Sequence, residues 1–290
     1  MLIQDIPNLI VSMFAGSRLY GTATLESDVD IRGIRFSPVD ALIGLRPFEQ
    51  QESNSGEEDI VIYSMEKFCR LCLECNPSLI ELLFVPPGAI LHATETWYNL
   101  QMMRGAFLSA KARTTFVGYA YSQYLKIERH HKWLTSPPDH EPTVQEFNGV
   151  PSETGVVWPD NSMQNAYKNA HSHWKQYINW RTNRNPERAV LEQEHLFDTK
   201  HGLHLMRLLE EGRELLTTGF ITLPRPNAKE LLGIRNGSMT YEQLLARFET
   251  ERKDLETLLT TLPEKPDFNA VNKFVIQSNF KHLQETYHAR

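Results

Sequence analysis

The stretch with the most chemical content runs Gly16-Ser17-Arg18-Leu19-Tyr20-Gly21 and then, after a short interval, Ser27-Asp28-Val29-Asp30-Ile31. A glycine ahead of a serine lets the backbone approach a polyphosphate with no Cβ in the way. Ser17 then opens a helix whose hydroxyl and free N–H groups face phosphate oxygens. Asp28 and Asp30 stand two apart, so in a strand both carboxylates leave one face while Val29 and Ile31 point into the core. Paired carboxylates repel unless a divalent cation sits between them, and hard oxygen donors beside a phosphate seat suit Mg²⁺, with Mn²⁺ as the alternative. Two such ions would activate an attacking hydroxyl and neutralise a departing pyrophosphate. Gly-Ser and Asp-x-Asp pairs are each common in turns and on surfaces. Their combination behind a buried strand is the specific signal.

The elements that must position these residues are readable around them. Residues 9–14 (LIVSMF) form an apolar run closed by Gly16, the pattern of a buried strand, and residues 28–36 and 59–63 read as two more. Between the last two, residues 50–58 are polar and read as a mobile loop. Ser64 is placed to cap the next helix, with Lys67 rather than Glu at the capping-box position. That helix carries Cys69, Cys72 and Cys75. Their spacing is one that iron–sulfur clusters use, but the chain holds 3 cysteines and so lacks the fourth. Steps of three place them along one helical side, as core or surface thiols kept reduced. Residues 79–84 are helical up to Pro86-Pro87-Gly88. Beyond about residue 95 helical spacing dominates, over 96–132, 163–184, 187–217 and 239–260, with Pro-rich breaks at 135–160 and 222–227. The expected organisation is a small α/β unit at 1–95 and a largely helical unit at 96–290, with no internal repeat.

Composition narrows the classes. The 290 residues are 41% hydrophobic and 23% charged, which excludes disordered and fibrous chains. A net charge of −6 gives no overall attraction to nucleic acid, so any such contact needs a local basic patch. No apolar run is long enough to span a bilayer, and MLIQDIPNLIVSMF carries Asp5 and no leading positive charge, unlike a signal peptide. The expectation is a cytoplasmic protein with no membrane partner.

The string Gly16-Ser17 … Asp28-Val29-Asp30 resembles the Gly-Ser … Asp-x-Asp signature of the DNA polymerase β-type nucleotidyltransferase superfamily. Two downstream stretches narrow the likeness: Asn76-Pro-Ser-Leu-Ile-Glu-Leu-Leu-Phe, and Arg184-Asn-Pro-Glu-Arg through Phe197-Asp-Thr-Lys-His-Gly-Leu-His to Leu231-Leu-Gly-Ile-Arg-Asn-Gly. These are similar to the RNA-ligase-associated polymerase β-like family, from about residue 12 to about residue 245. Phe197 stands where that family more often has Tyr, and Gly202 where it has Ala. The resemblance implies an α+β fold, a small mixed-sheet nucleotidyltransferase domain followed by a mostly helical one. It also implies transfer of a nucleoside monophosphate from an NTP such as ATP to an acceptor hydroxyl with release of pyrophosphate. The implied acceptor is an RNA end, with a protein or small molecule as the alternative and a silent nucleotide-binding module as a lesser one. A third carboxylate from a neighbouring strand is implied too. Asp59 is the best match, Glu58 its rival by a one-residue slip, and Glu81 a weaker one. Asp28, Asp30 and Asp59 would then hold the metal.

Farther along, Lys200, His204 and Arg207 fall at i, i+4 and i+7 on one helical side, a cationic row able to meet phosphates. Its alternative is a solvated face paired with Asp198, Glu210 and Glu211. His201 lies about 100° to the side, and a metal site from His201 and His204 lacks a third ligand nearby. Residues 104–132 gather Arg104, Lys111, Arg113, Lys126, Arg129 and Lys132 around Tyr119, Tyr121 and Tyr124, with Trp133 following. This is either a single-strand nucleic-acid surface or core aromatics with an exposed charged face. Trp174, Trp180, Arg181 and Arg184 pose the same choice.

Overall fold

A computed structural model of the chain describes residues 6–56 and 58–288. The chain opens with β1 (Leu9–Phe14), α1 (Gly16–Tyr20), β2 (Val29–Arg35), α2 (Val39–Ile43), β3 (Gln50–Asn54) and β4 (Glu58–Ser64). It continues through α3 (Met65–Leu73), α4 (Pro77–Ile80), β5 (Ile90–Ala93), α5 (Glu95–Met102) and α6 (Ala112–Thr135). The five strands form one mixed sheet in the order β3-β4-β2-β1-β5, with β2 parallel to β4 and the other pairs antiparallel. Alternation along the strands divides its faces. Ile31, Ile60 and Ile62 bury themselves with Ile6 in a small cluster on one side. From the other side Ile34 joins Met65 and Phe68 of α3 in the main core.

After a short hairpin, β6 (Val150–Ser152) and β7 (Gly155–Val157), come α7 (Asn161–Asn183), α8 (Pro186–His195), α9 (Thr199–Thr218), α10 (Ala228–Arg235), α11 (Tyr241–Thr257) and α12 (Phe268–His288). The expected mixed sheet followed by a mostly helical region is therefore what the chain adopts. Helix α9 is its axis: eight apolar or small residues from Leu203 to Leu216 are interspersed with polar and charged ones, and its buried side packs on α6, α10 and α11. One continuous buried core runs from Ile10 in β1 to Val271 in α12. Among the described residues no helix is long and apolar enough to cross a membrane.

Several local expectations change. Residues 50–54 form edge strand β3 rather than a loop. Their backbone groups pair with β4 although the side chains are polar, so periodicity carried no strand signal. The 96–132 helix is two helices separated by a 3₁₀ turn at Arg104–Phe107, and 187–217 breaks at Leu196, whose φ is +60°. Ser64 does cap α3, accepting from the Lys67 N–H at 3.1 Å. Cys69 and Cys72 lie on α3 and Cys75 just beyond it. All three are buried and unpaired, as the core reading of these thiols requires.

Candidate active site

Strand β1 delivers the chain to Ala15, whose N–H donates to the Asp30 carbonyl at 2.9 Å and locks the entry of α1 against β2. Gly16 then turns with φ +57°, and a Cβ there would collide with the Asp30 carboxylate, so only glycine brings the backbone this close. Beyond α1, a turn closed by Ser27 N–H to the Thr24 carbonyl and by Thr24 N–H to the Ser27 hydroxyl, 2.8 Å, presents Glu26, Ser27 and Asp28. Asp28 precedes β2 and Asp30 lies within it. Both face the same cavity as Gly16 and Ser17.

That cavity measures about 510 Å³, and its walls differ in charge. The sheet side supplies Asp28, Asp30 and Glu26, and the helical side supplies Arg188 of α8, Lys200 and His204 of α9, and Arg235 at the end of α10. Burial pushes the Asp30 carboxyl up from its ordinary range. Arg32 and Lys200 pull it back down, while Asp59 and Asp28 add to the rise. Burial lowers Lys200, Arg188 and Arg235 lower it further, and Asp28 and Asp30 oppose them. The two walls thus feel each other's charge across the opening. His204 is driven well below its usual value by burial and by Arg207 and Lys200, which leaves its ring neutral at neutral pH.

Beside Asp30 the parallel register of β2 and β4 sets Asp59 directly alongside it, whereas Glu58 pairs with Val29. Arg32, two residues beyond Asp30 on the same face, reaches between the acids. Its Nη2 stands 2.9 Å from Asp59 Oδ2 and 3.6 Å from Asp30 Oδ1, and its Nη1 donates to the Asp59 carbonyl at 3.0 Å. A guanidinium between two carboxylates does the charge balancing that a cation would otherwise do. The donor set of Asp28 and Asp30, hard oxygens beside a glycine turn with no side chain, fits a Mg²⁺-class ion.

The model of the RNA repair pathway DNA polymerase beta family, RlaP, matches residues 6–289. This chain belongs to the RlaP family. A relative from Enterobacteria phage T4, an uncharacterized 38.9 kDa protein of the nrdC–mobD intergenic region, is 29% identical over 128 residues, 40% of this chain. The match covers 38% of that phage protein's length. Membership carries the family's description, a DNA polymerase beta family of an RNA repair pathway, and so a polymerase β-like, nucleotidyltransferase type of chain.

Of the residues expected from sequence, this RlaP chain brings Gly16, Ser17, Asp28, Asp30, Lys200 and His204 to one cavity. Asp59 sits next to Asp30 and is held by Arg32. Arg207 is not brought there, because its position on α9 turns it into the protein. It is 5% exposed, its Nη1 donates to Glu81 at 3.0 Å and to Glu211 at 2.6 Å, and its guanidinium lies over the Tyr20 ring. Glu81 is buried in that same network and stands away from the cavity. Sequence reasoning missed Arg32, Arg188 and Arg235. The last two lay in the family-like strings at 184–192 and 231–237 but follow no spacing relative to Lys200, since they come from other helices.

The basic and aromatic stretch at 104–132 is divided: part of its aromatic surface packs into the protein, while its basic side chains stay partly or fully exposed and several of them bond within the chain. Trp133 is buried between His130 and Trp180, Tyr124 stacks on Phe248, and Arg113 donates to the Leu258 carbonyl. Lys111 pairs with Glu74, and Arg129 bonds Gln176. Tyr119 and Tyr121 are exposed.

Proposed function

We propose that the protein is a metal-dependent nucleotidyltransferase that moves a nucleoside monophosphate from an NTP to an acceptor hydroxyl, with an RNA end as the acceptor. The observation that carries this reading is the single cavity in which Gly16, Ser17, Asp28 and Asp30 face Lys200, Arg188 and Arg235. In this reading Asp28 and Asp30, with Asp59 beside them, hold one or two Mg²⁺ ions. When bound, these supply charge neutralisation at the α-phosphate and lower the pKa of the attacking hydroxyl.

The chain's own residues do the rest. Gly16 keeps the backbone clear of side chain, and Ser17 offers its hydroxyl to the β- and γ-phosphates. Lys200, Arg188 and Arg235 meet phosphate charge from the opposite wall, and neutral His204 donates or accepts a hydrogen bond without adding charge. Asp59 is positioned to accept the acceptor's proton once Arg32 moves off it. Positioning and fixed charge lower the barrier, with no covalent step on the protein. The division at about residue 95 belongs to this proposal, since residues 1–95 carry the acids and the helical part the cations. Three buried reduced thiols are in keeping with a cytoplasmic setting.

A second reading, transfer to a protein or small molecule, is favoured by the pairing of Lys111 with Glu74 and the bonding of Arg113 and Arg129 to groups of the chain itself, which reduces the free basic charge offered to a long strand. Incubation with α-³²P-labelled NTPs, Mg²⁺ and separate RNA, protein and small-molecule acceptors tests both. Label on RNA ends supports the first reading, and label on another acceptor alone supports the second. Retained NTP binding with no label on any acceptor contradicts both and leaves a silent nucleotide-binding module.

A further inference from the structure

On the far side of Arg188 from the cavity, three metal-ligating side chains converge. His130 projects from α6, Asp198 is the N-cap of α9, and His201 stands in the first turn of α9. His130 Nδ1 lies 3.9 Å from Asp198 Oδ2, and His201 Nε2 lies 3.5 Å from the same oxygen. One ligand atom from each residue falls within 4.8 Å of the other two. Zinc–nitrogen and zinc–oxygen bonds of about 2.0–2.2 Å place tetrahedral ligands about 3.3–3.6 Å apart, so a small contraction completes such a set. We propose that His130, Asp198 and His201 bind a divalent transition-metal ion of the zinc class, clamping α6 to the start of α9.

Three further observations point to an ion rather than a plain hydrogen-bonded cluster. His130 Nδ1 is buried with no hydrogen-bond partner among the described residues. His201 Nδ1 lies 2.8 Å from Gln123 Oε1, an acceptor, so Nδ1 carries the ring proton and Nε2 turns a lone pair toward the carboxylate. An outer oxygen acceptor that fixes the tautomer in this way is the usual companion of a metal-binding histidine. The third is the apolar wall, since the His130 ring packs against Trp133 and Trp180, both with centroids 5.4 Å away.

Asp198 has other duties. Its Oδ1 caps the Lys200 and His201 N–H groups, and Arg188 Nη2 donates to both carboxylate oxygens, at 3.4 and 3.1 Å. The ion therefore shares Oδ2 with a guanidinium, and a fourth position remains for water. Imidazole nitrogens select zinc-class ions over Mg²⁺. The site is distinct in place and chemistry from the Asp28–Asp30 pair and does not depend on the nucleotidyltransferase reading.

The test uses the full chain without an affinity tag, stripped by chelator, with Asp28→Asn and Asp30→Asn so that only the second site can hold an ion. Equilibrium dialysis with Zn²⁺ is expected to give one ion per chain, a rise in the thermal midpoint, and with Co²⁺ the intense visible absorption of a four-coordinate site. His130→Ala and His201→Ala should each weaken binding by about tenfold or more, while His131→Ala keeps it. Circular dichroism of the metal-free variants separates loss of a ligand from loss of fold. No retained Zn²⁺ and no thermal shift in the folded parent overturns the proposal, as does full binding in folded His130→Ala and His201→Ala.

Discussion

At the scale of single residues, Gly16 and Lys200 make the most exposed claims. Gly16→Ala forces a Cβ into the Asp30 carboxylate and imposes a left-handed φ on a side-chain-bearing residue. The backbone term alone costs about 1–2 kcal/mol, so the variant should melt several degrees lower and lose nucleotidyl transfer by far more than its loss of folded protein. Wild-type activity in Gly16→Ala would mean that the turn does not form the phosphate seat. Lys200→Ala should raise the KM for NTP with a smaller change in kcat, because it removes a charge that meets phosphate and leaves the acids in place. Steady-state kinetics at several NTP concentrations read this directly, and unchanged constants would return Lys200 to a structural role. Asp28 and Asp30 were legible in the sequence because their two-residue spacing beside a Gly-Ser turn marks a pair of acids at the start of a strand, although only Asp30 lies within β2. Arg188 and Arg235 were not, because cations delivered by separate helices leave no spacing to read.

At the scale of elements, α9 joins the site to the core. Arg207 is held between Glu81 and Glu211, and Arg225 pairs with Glu214 and approaches Glu211 at 4.0 Å, so three carboxylates share two guanidinium groups. Burial first, then the charge of Glu211, pushes the Glu81 carboxyl up to about 7 from 4.5, against the pull of Arg207. A carboxyl raised on folding contributes stability that is complete below pH 4.5 and is lost as pH rises through about 7. Glu81→Gln removes that decline. After a constant offset for the lost Arg207 bond, its melting temperature relative to wild type should climb between pH 5.5 and pH 8, and a flat difference would contradict the raised carboxyl. Arg207→Met strands two buried carboxylates and should cost about 3–5 kcal/mol, read by denaturant titration. The KM for NTP of the folded fraction should stay unchanged, which separates this role from phosphate binding. The helical row at 200, 204 and 207 was legible as a row. Which of its members face the cavity depends on how α9 is rotated against the sheet, and periodicity within one helix does not fix that.

At the scale of the whole molecule, the mixed sheet followed from the family resemblance, with β5 not read, while strands β1, β2 and β4 and the helical remainder followed from apolar patterning. Strand β3 and the breaks near residues 104 and 196 did not, since pairing to a neighbouring backbone and positive φ at Leu196 are tertiary outcomes. The thiols carry a prediction of this scale. Burial raises all three above the ordinary thiol range, so the native chain should resist a thiol reagent at pH 8 and release its 3 cysteines only on unfolding. Fast native reaction would place them at the surface. The central claim concerns a cleft with acids on the sheet wall and cations on the helical wall. Its most direct test is NTP-dependent pyrophosphate release by wild type, Asp28→Asn and Asp30→Asn, each checked for an unchanged fold by circular dichroism. The account predicts that both substitutions reduce release by at least about a thousandfold while the fold persists. Folded Asp28→Asn or Asp30→Asn releasing pyrophosphate at the wild-type rate would contradict it.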